Sequence, residues 1–355
     1  MNEKFKIYID FEAITYNYLV RVIRNIPRYQ ELPYIFTLGL YKDNRFITIT
    51  NKIDLSLITD DKSLNFAINI NLKELIIEAV QKLTKIKDLE INDDTVEFIA
   101  WGVSLENKIL TQLFGMRATN LQGNYEFSLD HFIPTGVFCD SEFDYINFPG
   151  YSQYFYENKK LKIKPDFAKG ALASIIGALV LASSSQSNIV NTRLKFPLPE
   201  KLISIALNSI YEYNKQDVLK MFFILQNSEK SNNIHTKIIK YNKEKNKINS
   251  EINTLEKIIK LLSKTIEGPD IFDVGNIRDD FKTIKYLINT NNIKINENSQ
   301  LFIEKINKLE SILDFDFRGV ETIINELKTI ANKLEKKFNH LKHYVIPGLA
   351  DNEYK

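Results

Sequence analysis

Ile7-Tyr8-Ile9-Asp10-Phe11-Glu12-Ala13-Ile14 is the stretch on which the reading of this chain turns. It is an apolar run, β-branched at Ile7 and Ile9, and it reads as a buried strand interrupted by two carboxylates. Side chains alternate along a strand, so Asp10 and Glu12 share one face while Phe11 takes the other. Two neighbouring carboxylates at the end of a core strand repel each other and lose hydration. The arrangement is costly unless a cation sits between them. Hard divalent cations such as Mg²⁺ or Mn²⁺ favour carboxylate and water oxygens. A strand end with two solvated acids has the same spacing, and this stretch alone does not choose between the two readings.

With 355 residues the chain can hold one large domain or two ordinary ones. Its 44% hydrophobic and 26% charged residues exclude a disordered chain. The single cysteine, Cys139, excludes an internal disulfide and a cysteine-rich metal site, fits a reducing compartment, and reads as a small buried hydrophobe. The opening Met1–Lys6 lacks the apolar core of a signal peptide. Gly170–Ser183 is the longest uncharged apolar stretch and is too short to span a bilayer, so the expected location is cytoplasmic, with no membrane contact. The net charge of +2 creates no strong basic field. Electrostatics alone neither argues for a nucleic-acid partner nor excludes one, since a narrow groove needs only a few cations.

After the first strand, Thr15–Gln30 carries a basic cluster, Arg21, Arg24 and Arg28, and Pro27 and Pro33 bracket a loop. Tyr34–Tyr41, a turn at Lys42–Asn44 and an alternating Arg45–Thr50 predict a β-hairpin. Apolar spacing predicts a helix over Asn71–Lys82. Thr95–Gly102 reads as a strand, after which Ser104 is placed to cap a helix over Leu105–Phe114. Tyr125–Ile133 reads as a further short strand. The aromatic stretch Phe143–Leu161 is assigned to packing rather than to stacking on bases. Lys159, Lys160, Lys162 and Lys164 are assigned to a solvated face rather than to a phosphate track. A buried helix over Pro165–Ala182, a polar loop over Ser183–Pro199 and a long helix over Glu200–Asn227 follow.

Composition shifts after Asn227. Ile234, Ile238, Tyr241, Ile248, Ile252, Leu255, Ile259, Leu262 and Ile266 follow spacings of four and three, with Lys245 interrupting, the pattern of a coiled-coil seam. Val320, Ile324, Leu327, Ala331, Leu334, Phe338, Leu341 and Val345 form a second seam. Gly268-Pro269 breaks the chain between them, with shorter helices expected over Asp279–Asn289 and Ser299–Leu313. Such seams suit a bundle packed on itself, or an arm for a protein partner or self-association. His340 and His343, at spacing three with no acid or cysteine beside them, read as surface histidines.

Further acids stand in predicted elements. Glu106 opens the helix after the Thr95–Gly102 strand, and Tyr213 and Asp217 lie four apart on one face of the long helix. Asp-x-Glu on a first strand, an acid after a later strand and Tyr-x-x-x-Asp on a late helix resemble the DEDD exonucleases. The tyrosine belongs to the branch with ribonuclease D and the proofreading domains of DNA polymerases. The chain is similar, more closely, to an uncharacterised bacterial domain family within that superfamily. That likeness rests on Asp10-Phe11-Glu12, the Ile26-Pro27 to Pro33-Tyr34 loop, Leu105-Glu106, the Gly170–Leu179 segment and Tyr213-Asn214-Lys215-Gln216-Asp217. It covers roughly residues 4–226 and leaves out the C-terminal third.

The resemblance implies an α/β, ribonuclease-H-like domain over residues 1–228, a mixed sheet flanked by helices. An α-helical domain with coiled-coil seams would follow over 229–355. It implies 3′-to-5′ nucleotide removal from DNA or RNA, at a single-stranded 3′ end, with two Mg²⁺ or Mn²⁺ ions. Asp10 would bridge both ions, Glu12 and Asp217 would complete the first site, Glu106 would hold the second, and Tyr213 would position the attacking water. Glu106 departs from the aspartate most of these enzymes carry, and its extra methylene moves the carboxylate outward. An inactive nucleic-acid-binding or protein-interaction module on the same scaffold is the alternative.

Overall fold

A computed structural model describes residues 4–23, 25–58, 60–123, 127–138, 169–184, 199–266 and 317–355. The stretch quoted above is strand β1, Phe5–Ile14, with Ile7, Ile9 and Ile14 fully buried. Together with β2 (Leu32–Lys42), β3 (Arg45–Lys52), β4 (Val96–Ala100) and β5 (Thr119–Asn120) it forms a five-stranded sheet of order β3-β2-β1-β4-β5. β2 runs antiparallel to both neighbours, whereas β4 and β5 run parallel to β1, so the sheet is mixed. β2 and β3 make the expected hairpin. Its turn residues Asp43 and Asn44 have φ of 52° and 59°, the left-handed pair that matches strand twist across a two-residue connection.

Helices of the sheet-bearing part are α1 (Tyr16–Leu19), α2 (Asp61–Phe66), α3 (Lys73–Thr84), α4 (Ser104–Phe114), α5 (Lys169–Ser184) and α6 (Glu200–Gln226). α4 packs on the Ile7 face, where Phe114 lies 6.4 Å from Phe98 of β4. α5 and α6 cover the face of Tyr8, Asp10 and Glu12, and two glycines allow their close approach. A Cβ on Gly39 of β2 would lie 2.8 Å from Val218 of α6, and one on Gly177 of α5 would lie 2.8 Å from the Tyr34 ring. Tyr34 Oη donates to the Ala173 carbonyl at 2.9 Å, and Tyr211 Oη donates to the Thr50 carbonyl at 3.0 Å.

Several expectations need correction. The helix expected over 71–82 starts at Asp61, under a capping box made by Asp60 and Ser63, and runs through a π-helical turn, Ala67–Leu72, into α3. Ser104 does not cap α4. The Val103 carbonyl already accepts from the Asn107 N–H, so Ser104 is the first helical residue. The strand expected over 125–133 is a 3₁₀ turn at Leu129–Phe132 where it is described. Leu129 and Phe132, three apart, eclipse on one side of such a turn and are both buried. Cys139, Arg24, the aromatic and lysine stretches of 143–164, Gly268-Pro269 and the helices expected over 279–289 and 299–313 lie outside the described residues.

The chain divides into two compact units, Met1–Ser231 and Asn232–Lys355. Described residues of the second are almost all helical: α7 (Ser228–Ile266), α8 (Phe317–His340), a π-helical turn at Leu341–Val345 and α9 (Leu349–Glu353). Leu255, Ile258 and Leu262 of α7 share an apolar cluster with Ile324, Leu327 and Ala331 of α8, and Ile248 and Ile252 share one with Leu341. Lys337 pairs with Glu244 at 2.7 Å. Ile258 is fully buried where the seam expected Ile259, which is half-buried. A straight helix drifts from a 3.5-residue repeat, and the contact line moves with it. His340 and His343 are both exposed, as expected. Among the described residues no helix is long and apolar enough to cross a membrane.

Candidate metal centre

β1 supplies two acids and two helices supply the others. Asp10 lies opposite Thr37 of β2 and Glu12 opposite Ile35, and the register shifts between Glu12 and Ala13, where Tyr34 is the extra residue of β2. The first turn of α4 brings in Glu106, whose carboxylate accepts from its own backbone N–H and from that of Phe11. α6 contributes Asp217. One carboxylate oxygen from each of Asp10, Glu12 and Asp217 lies within 4.8 Å of the other two. Glu106 is close enough to raise the pKa values of both Asp10 and Glu12. Tyr213, one turn before Asp217, donates its hydroxyl to that carboxylate. Asp10, Glu12, Glu106, Tyr213 and Asp217 thus come from three separated regions of the chain into one place.

Burial, then repulsion from Asp217, Glu12 and Glu106, holds the Asp10 carboxyl well above the usual range, with Lys220 opposing. Glu12 is raised well above its range by burial and by Asp217 and Glu106. Burial pushes Glu106 up to about 7 against its two backbone donors. Asp217 is raised by burial, with Lys220 as the main opposing influence. The cluster therefore has more negative than positive charge, with Lys220 the one cation acting on it among the described residues, and its donors are all hard oxygens. A hard divalent cation fits that donor set. Among the described residues this is the only such group, and His340 and His343 belong to none.

Three further residues complete the environment. Asn214 is fully buried, and its Nδ2 donates to Asp10 Oδ2 at 2.6 Å. Lys220, 1% exposed, places Nζ 2.7 Å from Asp130 Oδ1 and 3.1 Å from Asp217 Oδ1, and 5.7 Å from the centre of the Tyr213 ring. Burial would lower the Lys220 pKa, but Asp217 and Asp130 outweigh it and raise the pKa. The ammonium bridges Asp217 and Asp130, and Asp217 still keeps a carboxylate oxygen within 4.8 Å of one from Glu12.

Tyr213, Asp217 and Lys220 recur at spacings of four and three along α6, so the helical period was the available signal for Lys220. Asp130 carried no such signal, because its place depends on packing across 90 residues. Comparison of the chain with family models, with curated proteins and with solved structures returned no match.

Proposed function

We propose that the chain is a metal-dependent 3′-to-5′ exonuclease acting on DNA or RNA, built on a ribonuclease-H-like domain with an appended helical coiled-coil domain. The observation that carries the reading is the convergence of Asp10, Glu12 and Asp217 within 4.8 Å, with Glu106 in electrostatic contact. The sheet order and the lone antiparallel β2 agree with such a domain. Asp10, Glu12 and Asp217 would hold one cation, and Asp10 with Glu106 a second. A pair of Mg²⁺ or Mn²⁺ ions bound there supplies charge opposite both the attacking and the departing oxygen of a phosphodiester.

Tyr213 has a positioning role in this reading. Burial and the Asp217 charge raise its pKa, so the phenol stays protonated and is no general base. With its proton committed to Asp217, its oxygen can still accept from a water and orient it. Asn214 fixes the rotamer of Asp10, and Lys220 fixes that of Asp217.

One observation favours the inactive alternative. Lys220 already supplies a positive charge beside Asp217, which a site that has lost its cations would need. A single ammonium does not balance Asp10, Glu12, Glu106, Asp130 and Asp217 together, and the Asp10, Glu12 and Asp217 carboxyls remain raised beside it. The catalytic reading is therefore preferred. End-labelled DNA and RNA oligomers incubated with Mn²⁺ are expected to shorten from the 3′ end. Asp10→Asn and Asp217→Asn are expected to abolish trimming while circular dichroism stays unchanged, and full activity in either variant would overturn the assignment.

A further inference from the structure

The basic cluster between β1 and β2 has no part in the chemistry above. This loop leaves the end of β1 that bears Asp10 and Glu12. It is tied to α4, because Lys108, two residues beyond Glu106, donates to the Tyr29 carbonyl and pairs with Glu31 at 3.3 Å. Tyr29 is 63% exposed and has φ of 64°, a left-handed backbone that a bulky side chain rarely adopts. Neither burial nor backbone preference accounts for a tyrosine here, since a glycine would sit in the same turn without strain.

What surrounds the ring has a consistent chemistry. Arg28 holds its guanidinium 5.0 Å from the Tyr29 ring centre, and Tyr16 lies 6.0 Å away at 47°. Arg21 holds a second guanidinium 5.6 Å from the Tyr18 ring. Arg21 and Arg28 are exposed, whereas Tyr16 and Tyr18 are half-buried and serve as their support. Exposed π-faces interleaved with guanidinium groups suit a flexible polyanion whose bases are free to stack. A paired duplex offers no free base face at such a ring.

We infer that the β1–β2 loop is a stacking platform for single-stranded nucleic acid, with Tyr29 taking an unpaired base and Arg28 and Arg21 the adjoining phosphates. This rests on the nuclease reading for its direction, since the platform adjoins the strand end and the helix that supply the acids. DNA and RNA share the chemistry, and oligomers of each distinguish them.

The test is fluorescence anisotropy of full-length protein with short labelled single strands and matched duplexes, alongside trimming assays. Tyr29→Gly is expected to weaken single-strand binding about tenfold, the scale of one lost base stack, and to raise KM for trimming. Its melting temperature is expected to hold or rise, which a structural role would not give. Tyr29→Phe is expected to restore binding, and duplex binding is expected to be unaffected by either change. Wild-type trimming with unaltered binding in Tyr29→Gly overturns the platform alone. Single-strand binding that depends on Tyr29 without any trimming overturns the nuclease reading and leaves the platform. Absence of both overturns both.

Discussion

Asn214 is the residue on which Asp10 depends most directly. Its amide is fully buried, it donates to Asp10 at 2.6 Å, and its Oδ1 finds no partner among the described residues. A buried amide kept at that cost gains little for folding, so its return is in orientation. Groups that orient a metal-binding side chain typically account for 10–100-fold in affinity. Asn214→Leu is expected to weaken Mn²⁺ binding by roughly that factor, read by calorimetric titration. Unchanged affinity would assign Asn214 to packing alone. Lys220 has a different task, since it lies one turn after Asp217 on α6 and ties that acid to the partly exposed Asp130, which stands outside the helix.

The position of α6 over the sheet decides where Asp217 stands. Gly39 makes that position available, because a Cβ there would lie 2.8 Å from Val218, the neighbour of Asp217, and 2.5 Å from the Phe46 ring. Phe46 is itself held by Phe222 of the same helix, stacked at 4.2 Å, so it has little room to withdraw. Gly39→Ala is expected to cost about 1–3 kcal/mol in urea melts. It should also weaken Mn²⁺ binding, because the helix must lift. A variant that melts lower but binds Mn²⁺ normally would separate α6 packing from the centre. β1, the hairpin and α6 were legible in the sequence, since each is a continuous periodic segment and its pattern is local. Asp10, Glu12 and Asp217 were legible through spacing on those segments. The Leu129–Phe132 turn was not, because two apolar residues three apart sit as easily in a mixed run read as a strand. The burial of Ile258 rather than Ile259 depends on accumulated helical drift, which a seam written in fours and threes conceals.

For the molecule as a whole, the cluster couples stability to pH. Glu106 titrates at about 7 in the fold against 4.5 when unperturbed, and Asp10, Glu12 and Asp217 are shifted in the same direction. Without a cation, the folded state therefore holds more protons than the unfolded chain across that interval. The stability these protons supply is complete below the unfolded values and is lost as pH rises through 7. Chelator-treated protein is expected to melt at a lower temperature at about pH 8 than at about pH 5.5. Mn²⁺ at a hundred times its dissociation constant should return about 2.7 kcal/mol at the higher pH, roughly 5–10 °C. A melting curve indifferent to both would mean that the acids neither repel one another nor bind a cation. The order of the acids along the chain has one more consequence. Asp10, Glu12 and Glu106 emerge from the ribosome long before Asp217, so a polypeptide still in synthesis lacks the last acid of the cluster. On the nuclease reading proposed above, a growing chain gains no cutting activity of its own until α6 has been made.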